Sequence, residues 1–170
     1  MSRLMQGKRG LIMGLANERS LAWGIARAVA GEGAELAFSY QGEALEKRVR
    51  PLAAELGSDL LVDCDVSDMK ALDKTFAALK ERWNKLDFVV HAIGYSDKNE
   101  LRGKFVDTSM DNFLMTMNIS VYSFVAIAQR GLAEYNSADA RLVHLDSLNP
   151  VRRDRAFDQG VLAQHLELLG

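Results

Sequence analysis

Short apolar runs alternate along the chain with longer segments whose apolar residues recur every three or four positions. The short runs are typical of buried strands, and the longer spacing is typical of helices. The runs predict strands at residues 11–13, 35–40, 60–64, 87–92 and 141–145. The helical spacing predicts helices at residues 20–30, 43–56, 68–83 and 109–129. A polar loop at residues 95–108 precedes the last of these helices.

This alternation predicts an α/β fold, a Rossmann-like doubly wound parallel sheet in three α/β/α layers. Because crossover connections in such sheets are right-handed, we expect the strand order 3-2-1-4. A ligand of this fold lies outside the carboxyl ends of the strands. That rule selects six candidate site residues: Gly14, Gln41, Asp65, Val66, Ile93 and Gly94.

Apolar stripes mark the expected core face of each helix. Ser67 and Ser109 are the N-cap candidates of the third and fourth helices. The stripes are Leu21, Ile25, Ala28 and Val29 in the first helix, Leu45, Val49, Leu52, Ala53 and Leu56 in the second, Leu72, Phe76, Leu79 and Trp83 in the third, and Phe113, Met117, Val121, Phe124 and Ile127 in the fourth.

The first strand, its turn and the first helix lie in the segment RGLIMGLANERSLAWGIARAVAGEG, residues 9–33. A helix N-terminus has unpartnered N–H groups at the positive end of its dipole, and both suit a pyrophosphate. Gly14 permits a sharp turn and a close approach by a cofactor, and Ser20 can cap the helix or bind a phosphate. The pattern G-x-G-x-x-G is absent, so an ordinary turn with small residues for packing remains the alternative.

The residue after the second strand distinguishes between nicotinamide cofactors in this fold. An acidic group there binds the ribose diol, and an arginine holds a 2′-phosphate. Gln41 is uncharged and its turn contains no Lys or Arg, which favours NADH over NADPH. Asp65 either accepts from the adenine amino group or bonds N–H groups of its own turn. His91 fits a packed core histidine better than an acid or base.

The composition favours a globular protein of one domain over a nucleic-acid-binding or membrane-spanning protein. The 170 residues suffice for one domain, and 48% hydrophobic and 26% charged residues are ordinary for a globular protein. The net charge of −2 argues against a nucleic-acid-binding face, and no apolar run approaches the ~20 residues of a membrane span. The single cysteine, Cys64, fits a reducing compartment and predicts a buried, inert thiol. We expect a cytoplasmic protein without a metal site.

Five segments resemble bacterial enoyl-(acyl-carrier-protein) reductase, a divergent branch of the short-chain dehydrogenase/reductase superfamily. They are GKRGLIMGLANERSLAWGIA, GAELAFSYQGE, LGSDLLVDCDV, LDFVVHAIGYS and ISVYSF. The segments follow one another in the family's order at matching distances, and the resemblance covers residues 4–130. A generic superfamily member has a different glycine turn and usually Asn-Ala-Gly after the fourth strand.

The resemblance implies hydride transfer from NADH to the double bond of an enoyl thioester carried on acyl carrier protein. This reaction is the last reductive step of fatty-acid elongation. The resemblance also implies that Gly14, Ser20 and Leu21 hold the pyrophosphate and the neighbouring ribose of the cofactor. Enzymes of the family are typically cytoplasmic homotetramers, and we leave open whether this chain assembles.

The same resemblance assigns the remaining site residues. It implies that Gln41 contacts the adenosine side of the cofactor and that Asp65 and Val66 frame the adenine. Ile93 then lies beside the nicotinamide, and Ser96 stands where the family has a small residue facing the substrate.

The resemblance stops near Arg130, before the family's catalytic centre. The family has a tyrosine after the fifth strand and then Tyr-x6-Lys, which stabilise the developing enolate and hold the cofactor ribose. Those positions fall near Ser147, Phe157 and Gln164, so we assign no catalytic residue and expect little or no turnover.

We therefore divide the chain into a dinucleotide-binding domain, residues 1–130, and a divergent or truncated tail, residues 131–170. The tail completes part of the same domain, whose C-terminal part we expect to be incomplete. Two explanations remain open: a broken copy of an active reductase, or a non-catalytic nicotinamide-nucleotide-binding or interaction module. An incomplete sheet exposes an apolar edge, so we expect a tendency to aggregate.

Overall fold

The sheet has five parallel strands in the part of the chain that the structure, a computed structural model, describes: residues 3–135 and 141–144. The strands are β1 Arg9–Met13, β2 Glu35–Tyr40, β3 Leu61–Asp63, β4 Phe88–His91 and β5 Arg141–His144. Their order is β3-β2-β1-β4-β5, which confirms the expected 3-2-1-4 order and places β5 beside β4. The carboxyl ends of all five strands therefore lie at one edge of the sheet.

Helices connect the strands as the apolar spacing predicts. They are α1 Leu21–Gly31, α2 Gly42–Glu55, α3 Met69–Arg82, α4 Met110–Met117 and α5 Ser123–Tyr135. The single helix predicted over residues 109–129 is α4 and α5 joined by a π-helical segment, Asn118–Tyr122. A short 3-10 helix, Phe105–Asp107, lies in the loop predicted over residues 95–108.

The core consists of two apolar clusters that share the central strand. Leu11 and Met13 of β1 pack in one cluster, which contains the α3 side chains Phe76 and Leu79. Ile12, which lies between them in sequence, packs in the other cluster with residues of α1 and α2. Successive side chains of a strand point to opposite faces, so the helices cover both faces of the sheet. The predicted three-layer α/β/α arrangement is confirmed.

The core faces of the second and third helices match the prediction, whereas that of the first matches it only in part: Ile25 and Val29 pack against the core, but Leu21 and Ala28 are exposed. In α1 the buried side chains are Ala22, Trp23 and Ala26, and Leu21 is 58% exposed. The buried stripe is therefore shifted by one residue from the predicted one. Trp23 has the largest side chain of the helix, and its burial in the cluster around Ile12 turns Leu21 towards solvent.

The cap of α3 differs by one residue from the prediction. Asp68, not Ser67, is the N-cap, and its carboxylate accepts from the N–H of Lys70 at 2.8 Å. Ser67 instead donates its hydroxyl to Asp65 Oδ1 at 2.6 Å. The predicted cap of α4 is confirmed, since Ser109 Oγ accepts from the N–H of Asn112 at 3.1 Å.

The predicted apolar core face of the last helix is wrong over its first half. Phe113, Met117 and Val121 are 46%, 40% and 46% exposed, and Ile127 is the one member of the predicted stripe that is fully buried. The buried positions are Asn112, Ser123, Ala126 and Ile127. The helix crosses the end of β4 and the loop after it, whose polar groups need polar partners.

The remaining sequence-based expectations for the tail lie outside the described residues. They concern Ser147, Phe157 and Gln164, and the division of the chain at residue 130 also remains a prediction. In the part of the chain that is described, we find no helix long and apolar enough to cross a membrane.

Candidate functional site

Gly14 lies where the carboxyl ends of β1 and β4 approach each other. Its φ of 92° is in the left-handed region, which side chains other than glycine rarely adopt. A Cβ placed on it would lie 2.0 Å from the carbonyl oxygen of Ala92. Glycine is therefore required here by the packing of the two strand ends as well as by the turn.

A cavity of about 400 Å³ opens at this edge of the sheet. It brings together six of the nine predicted site residues and adds side chains that the sequence did not identify. The predicted residues that line it are Gly14, Gln41, Asp65, Val66, Ile93 and Gly94. The additional lining residues are Leu15, Ser39, Tyr40, Leu45, Cys64, Tyr95 and Ile119. Its volume is within the usual range of ligand sites.

Two predicted residues form a polar contact at this cavity. Gln41 Nε2 donates to Asp65 Oδ2 at 2.8 Å. The other oxygen, Asp65 Oδ1, accepts from the N–H of Ser67 at 2.8 Å and from its hydroxyl at 2.6 Å. Asp65 therefore accepts hydrogen bonds from its own turn, which is one of the two roles that the sequence left open for it. Its second carboxylate oxygen accepts from Gln41.

The end of β2 has an acidic environment. Burial first, and then the carboxylates of Glu46 and Asp63, raise the pKa of the Tyr40 hydroxyl above its usual value. Two cations of α2 have acidic partners: Lys47 lies 2.7 Å from Glu43, and Arg50 forms an ion pair with Glu46. The surroundings of Tyr40 therefore favour a neutral, hydrogen-bonding ligand over an additional anion.

Ser20 and Leu21 do not line this cavity. They line a second depression along α1, together with Arg19 and Arg27. Ser20 occupies the N-cap position, but its hydroxyl donates to the carbonyl oxygen of Asn17 at 2.5 Å and makes no cap bond. The first N–H groups of α1 thus receive no side-chain acceptor, and the assignment of Ser20 and Leu21 to a pyrophosphate stays a prediction.

Ser96 also lies outside the cavity lining. Thr116 Oγ1 donates to Ser96 Oγ at 2.9 Å, and Ser96 Oγ lies 3.4 Å from Asn112 Oδ1. Its hydroxyl is therefore engaged with the α4 helix, and its assignment to a substrate stays a prediction. Asn112 and Thr116 were not identified from the sequence, although polar residues four positions apart in a mostly apolar helix are a recognisable signal.

The two remaining candidates behave as structural groups. His91 is fully buried, with Nε2 2.7 Å from Ser123 Oγ, and its ring packs edge-on against Phe124 at 5.7 Å. Cys64 is 4% exposed, and burial raises the pKa of its thiol. The reading of His91 as a core histidine and of Cys64 as a buried thiol is confirmed.

Comparison with protein families identifies one family. A family model described as Enoyl-(Acyl carrier protein) reductase matches residues 14–156. The chain is 65% identical over 130 residues to an enoyl-acyl-carrier-protein reductase (NADH) 2 of Rhizobium meliloti. That alignment covers 76% of this chain and 48% of the relative. The chain therefore spans about half the length of the curated relatives it matches.

Two solved structures extend the comparison to the fold. An enoyl-(acyl-carrier-protein) reductase of Anaplasma phagocytophilum in complex with NAD is 51% identical, with a TM-score of 0.81 over 86% of this chain and 56% of that chain. A Bacillus cereus enoyl-acyl carrier protein reductase with NADP⁺ and indole naphthyridinone is 42% identical, with a TM-score of 0.74 over 79% of this chain and 52% of that chain. Both pyridine nucleotides thus occur in crystals of similar proteins.

Proposed function

The chain belongs to the enoyl-(acyl carrier protein) reductase family, and we propose that it provides the NADH-binding part of such a reductase. The observation that carries this proposal is the cavity at the carboxyl ends of the strands. Gly14, Gln41, Asp65, Val66 and Ile93 line it together, although they come from four separate loops. In a doubly wound sheet this is the place where ligands bind.

The cavity has the chemical groups that an adenosine needs. Val66 and Ile119 are apolar walls for a flat ring, and Asp65 Oδ2 is an acceptor for an amino group. Gln41 can both donate and accept without charge. We assign the adenine to Asp65 and Val66, the adenosine side to Gln41, and the nicotinamide end to Ile93.

The acidic surroundings of Tyr40 support NADH rather than NADPH. A 2′-phosphate near the end of β2 would meet the carboxylates of Glu46 and Asp63, and the neighbouring cations Lys47 and Arg50 already have partners. In this fold an arginine after the second strand holds the extra phosphate of NADPH, and here the residue after β2 is Gln41. We expect NADH to bind at least tenfold more tightly than NADPH.

The chemistry of the proposed reaction comes from the nucleotide, which supplies a hydride to the double bond of an enoyl thioester. The residues of this chain bind and orient the cofactor: Gly14 allows a close approach, and Asp65 and Gln41 fix the adenosine. Ser20 and Leu21, at the uncapped N-terminus of α1, are our candidates for the pyrophosphate. Ser96 is our candidate for the substrate side.

We further propose that these 170 residues sustain little or no turnover by themselves. The last lysine of the sequence is Lys104 and the last tyrosine is Tyr135, so residues 136–170 contain no Tyr-x6-Lys. Groups of this kind are the ones that stabilise charge developing on the substrate in the transition state, and their absence from the sequence supports this proposal. A nicotinamide-nucleotide-binding module without catalysis is the second candidate function, and it rests on this absence.

The proposed partner is an enoyl thioester on acyl carrier protein, and the proposed assembly is with other copies of the chain. An exposed apolar surface on α4, α5 and the π-helical segment between them supports the assembly. We define this α4–α5 face by its exposed side chains: Met110, Phe113, Leu114, Met117, Val121, Tyr122, Val125 and Leu132. A concentration of exposed apolar side chains along consecutive helical segments is typical of protein–protein contacts.

A matched pair of aspartates tests the proposed function. Asp65 and Asp68 each accept from the N–H two residues later at 2.8 Å, but only Asp65 lines the cavity. We expect Asp65→Ala to weaken NADH binding about 10- to 100-fold, the range for losing a hydrogen bond to a charged group, and Asp68→Ala to leave it unchanged. NADH fluorescence titration measures both. Equal affinities for wild type and Asp65→Ala would contradict the assignment.

The turnover proposal has its own assay. Loss of NADH absorbance in the presence of an enoyl thioester should stay at the background rate at any protein concentration. A rate proportional to protein concentration would show that catalytic groups are present after all.

A further inference from the structure

Three polar side chains, each four residues after the last, follow one face of α4 and the π-helical segment. They are Asn112, Thr116 and Ser120, and we call them the polar ladder. Each contacts the segment that leaves β4, residues 95–97. Since residues four apart lie one helical turn apart, the ladder runs along this segment for two turns.

The ladder supplies hydrogen-bond partners that the backbone of residues 95–97 would otherwise lack. Ser120 Oγ accepts from the N–H of Tyr95 at 3.0 Å and lies 3.2 Å from the carbonyl oxygen of Tyr95, to which it can donate. Asn112 Oδ1 accepts from the N–H of Asp97 at 3.0 Å. Thr116 Oγ1 donates to Ser96 Oγ at 2.9 Å. The helix thus holds three consecutive loop residues by side chains.

The first residue of this segment is also part of the cavity wall. Tyr95 lines the cavity beside Ile93 and Gly94, and Ile119, the neighbour of Ser120, lines it from the helix. Of the three residues of the polar ladder, Ser120 is the one that bonds to a residue of the cavity wall, and it contacts both the N–H and the carbonyl oxygen of Tyr95.

We propose that Ser120 is a positioning residue for the nucleotide site: its hydroxyl holds the backbone of residues 93–95 in the arrangement that receives the cofactor. The inference rests on the proposed function, because it assigns a task within the NADH site. It concerns a residue that does not touch the ligand itself.

The expected effect follows from the cost of ordering a backbone. Fixing the backbone of one residue costs about one factor of ten in an equilibrium constant. Without the hydroxyl, this ordering of Tyr95 has to accompany cofactor binding. Ser120 is only partly buried, so water can replace its two bonds in the free protein and the fold loses little stability.

Three variants separate positioning from a general loss of stability. Ser120→Ala removes the hydroxyl, and Ser120→Thr restores one. Ser58→Ala is the matched control, because Ser58 Oγ donates to the carbonyl oxygen of Leu36 at 2.5 Å in a buried position and Ser58 does not line the cavity. NADH affinity and amide hydrogen exchange of residues 93–97 without nucleotide are measured for each, together with Tm.

We expect Ser120→Ala to bind NADH about tenfold more weakly and to exchange the amides of residues 93–97 faster, with Ser120→Thr close to wild type. Ser58→Ala should lower Tm and leave both quantities unchanged. Unchanged affinity in Ser120→Ala, equal weakening in Ser58→Ala, or no rescue by threonine would overturn the inference while leaving the proposed function standing. Absence of saturable NADH binding in the wild type would overturn both.

Discussion

The requirement for glycine at position 14 has two separable causes at the scale of single residues. One is the positive φ, and the other is the space between the ends of β1 and β4. From the sequence, Gly14 was identified by its place after a strand, but its contact with Ala92 joins residues far apart in the chain. A sequence pattern cannot contain that distance, since it depends on how β1 and β4 pair.

We predict that Gly14→Ala destabilises the protein strongly. The added Cβ would lie 2.0 Å from Ala92 O, and the backbone would be held in the left-handed region. Overpacking costs about 1–3 kcal/mol and the left-handed conformation about 1–2 kcal/mol, so we expect a loss of about 2–5 kcal/mol in urea unfolding. Gly24→Ala is the control: Gly24 is helical and open, so its substitution should be neutral or stabilising by up to about 1 kcal/mol. Similar stabilities of the two variants would show that the strand ends move apart freely.

The position of Asp65 was predictable from the sequence, but its hydrogen-bond partners were not. The sequence left two roles open for it, and the structure shows the turn bonds to Ser67 and the contact with Gln41 together. The position of Asp65 after β3 was predictable from the strand pattern. The direction of its second oxygen was not, because it depends on the loop after β2.

At the scale of elements, the last long helix shows why periodicity alone misplaced a core face. Its apolar residues at 113, 117 and 121 have perfect helical spacing, and yet they face solvent. The face that packs against the sheet edge is polar, because the loop after β4 has N–H and carbonyl groups that need partners. The spacing of apolar residues indicates that a helix is amphipathic, but which of its faces is buried depends on the element that it packs against.

A second contact between elements ties β1 to β4 at the amino end of the sheet. Asp87, 7% exposed, accepts from the N–H of Arg9 at 2.9 Å, from Lys8 Nζ at 3.1 Å, and forms an ion pair with Lys85 at 2.6 Å. Burial alone would raise the pKa of Asp87, but these bonds outweigh it and hold its pKa below the usual value. The contact therefore favours the ionised carboxylate in the folded state.

We predict that Asp87→Asn lowers the free energy of unfolding by about 1.5–3 kcal/mol at neutral pH, the range for hydrogen bonds to a charged group. Since the folded pKa lies below the unfolded one, the contribution is complete above about pH 4 and is lost as the pH falls through the folded pKa. Urea unfolding of both proteins from pH 7 to pH 2.5 should show the difference shrinking at low pH. Asp59→Asn is the control, since the Asp59 contact with Arg82 is exposed and should contribute less than about 1 kcal/mol. A difference that is independent of pH would contradict the ionic origin.

At the scale of the whole molecule, the sheet order followed from the alternation of strands and helices and from the handedness of their connections. The family was evident from five short segments, and the match over residues 14–156 confirms it. The surface of the α4–α5 face was not predictable in the same way, because three of its residues, Phe113, Met117 and Val121, had been assigned to the core. The exposed apolar side chains of this face are the basis on which we propose a contact with another surface.

We predict that the chain self-associates through the α4–α5 face. Met117→Glu combined with Val121→Glu places charges in that contact and should shift the protein towards the monomer in analytical ultracentrifugation. Leu4→Glu is the control, since Leu4 is 84% exposed and distant in sequence from this face. The prediction would be contradicted if the wild type were a monomer, or if the double variant and the Leu4→Glu control associated to the same extent as the wild type.

The central claim is that the cavity at the carboxyl ends of the strands receives NADH, and amide chemical-shift mapping during an NADH titration tests it most directly. The account predicts saturable shifts concentrated at Gly14, Gln41, residues 65–66 and residues 93–95, with weaker shifts from NADPH at the same concentration. Shifts that do not saturate, or that concentrate on the α4–α5 face while the cavity residues stay unchanged, would contradict it.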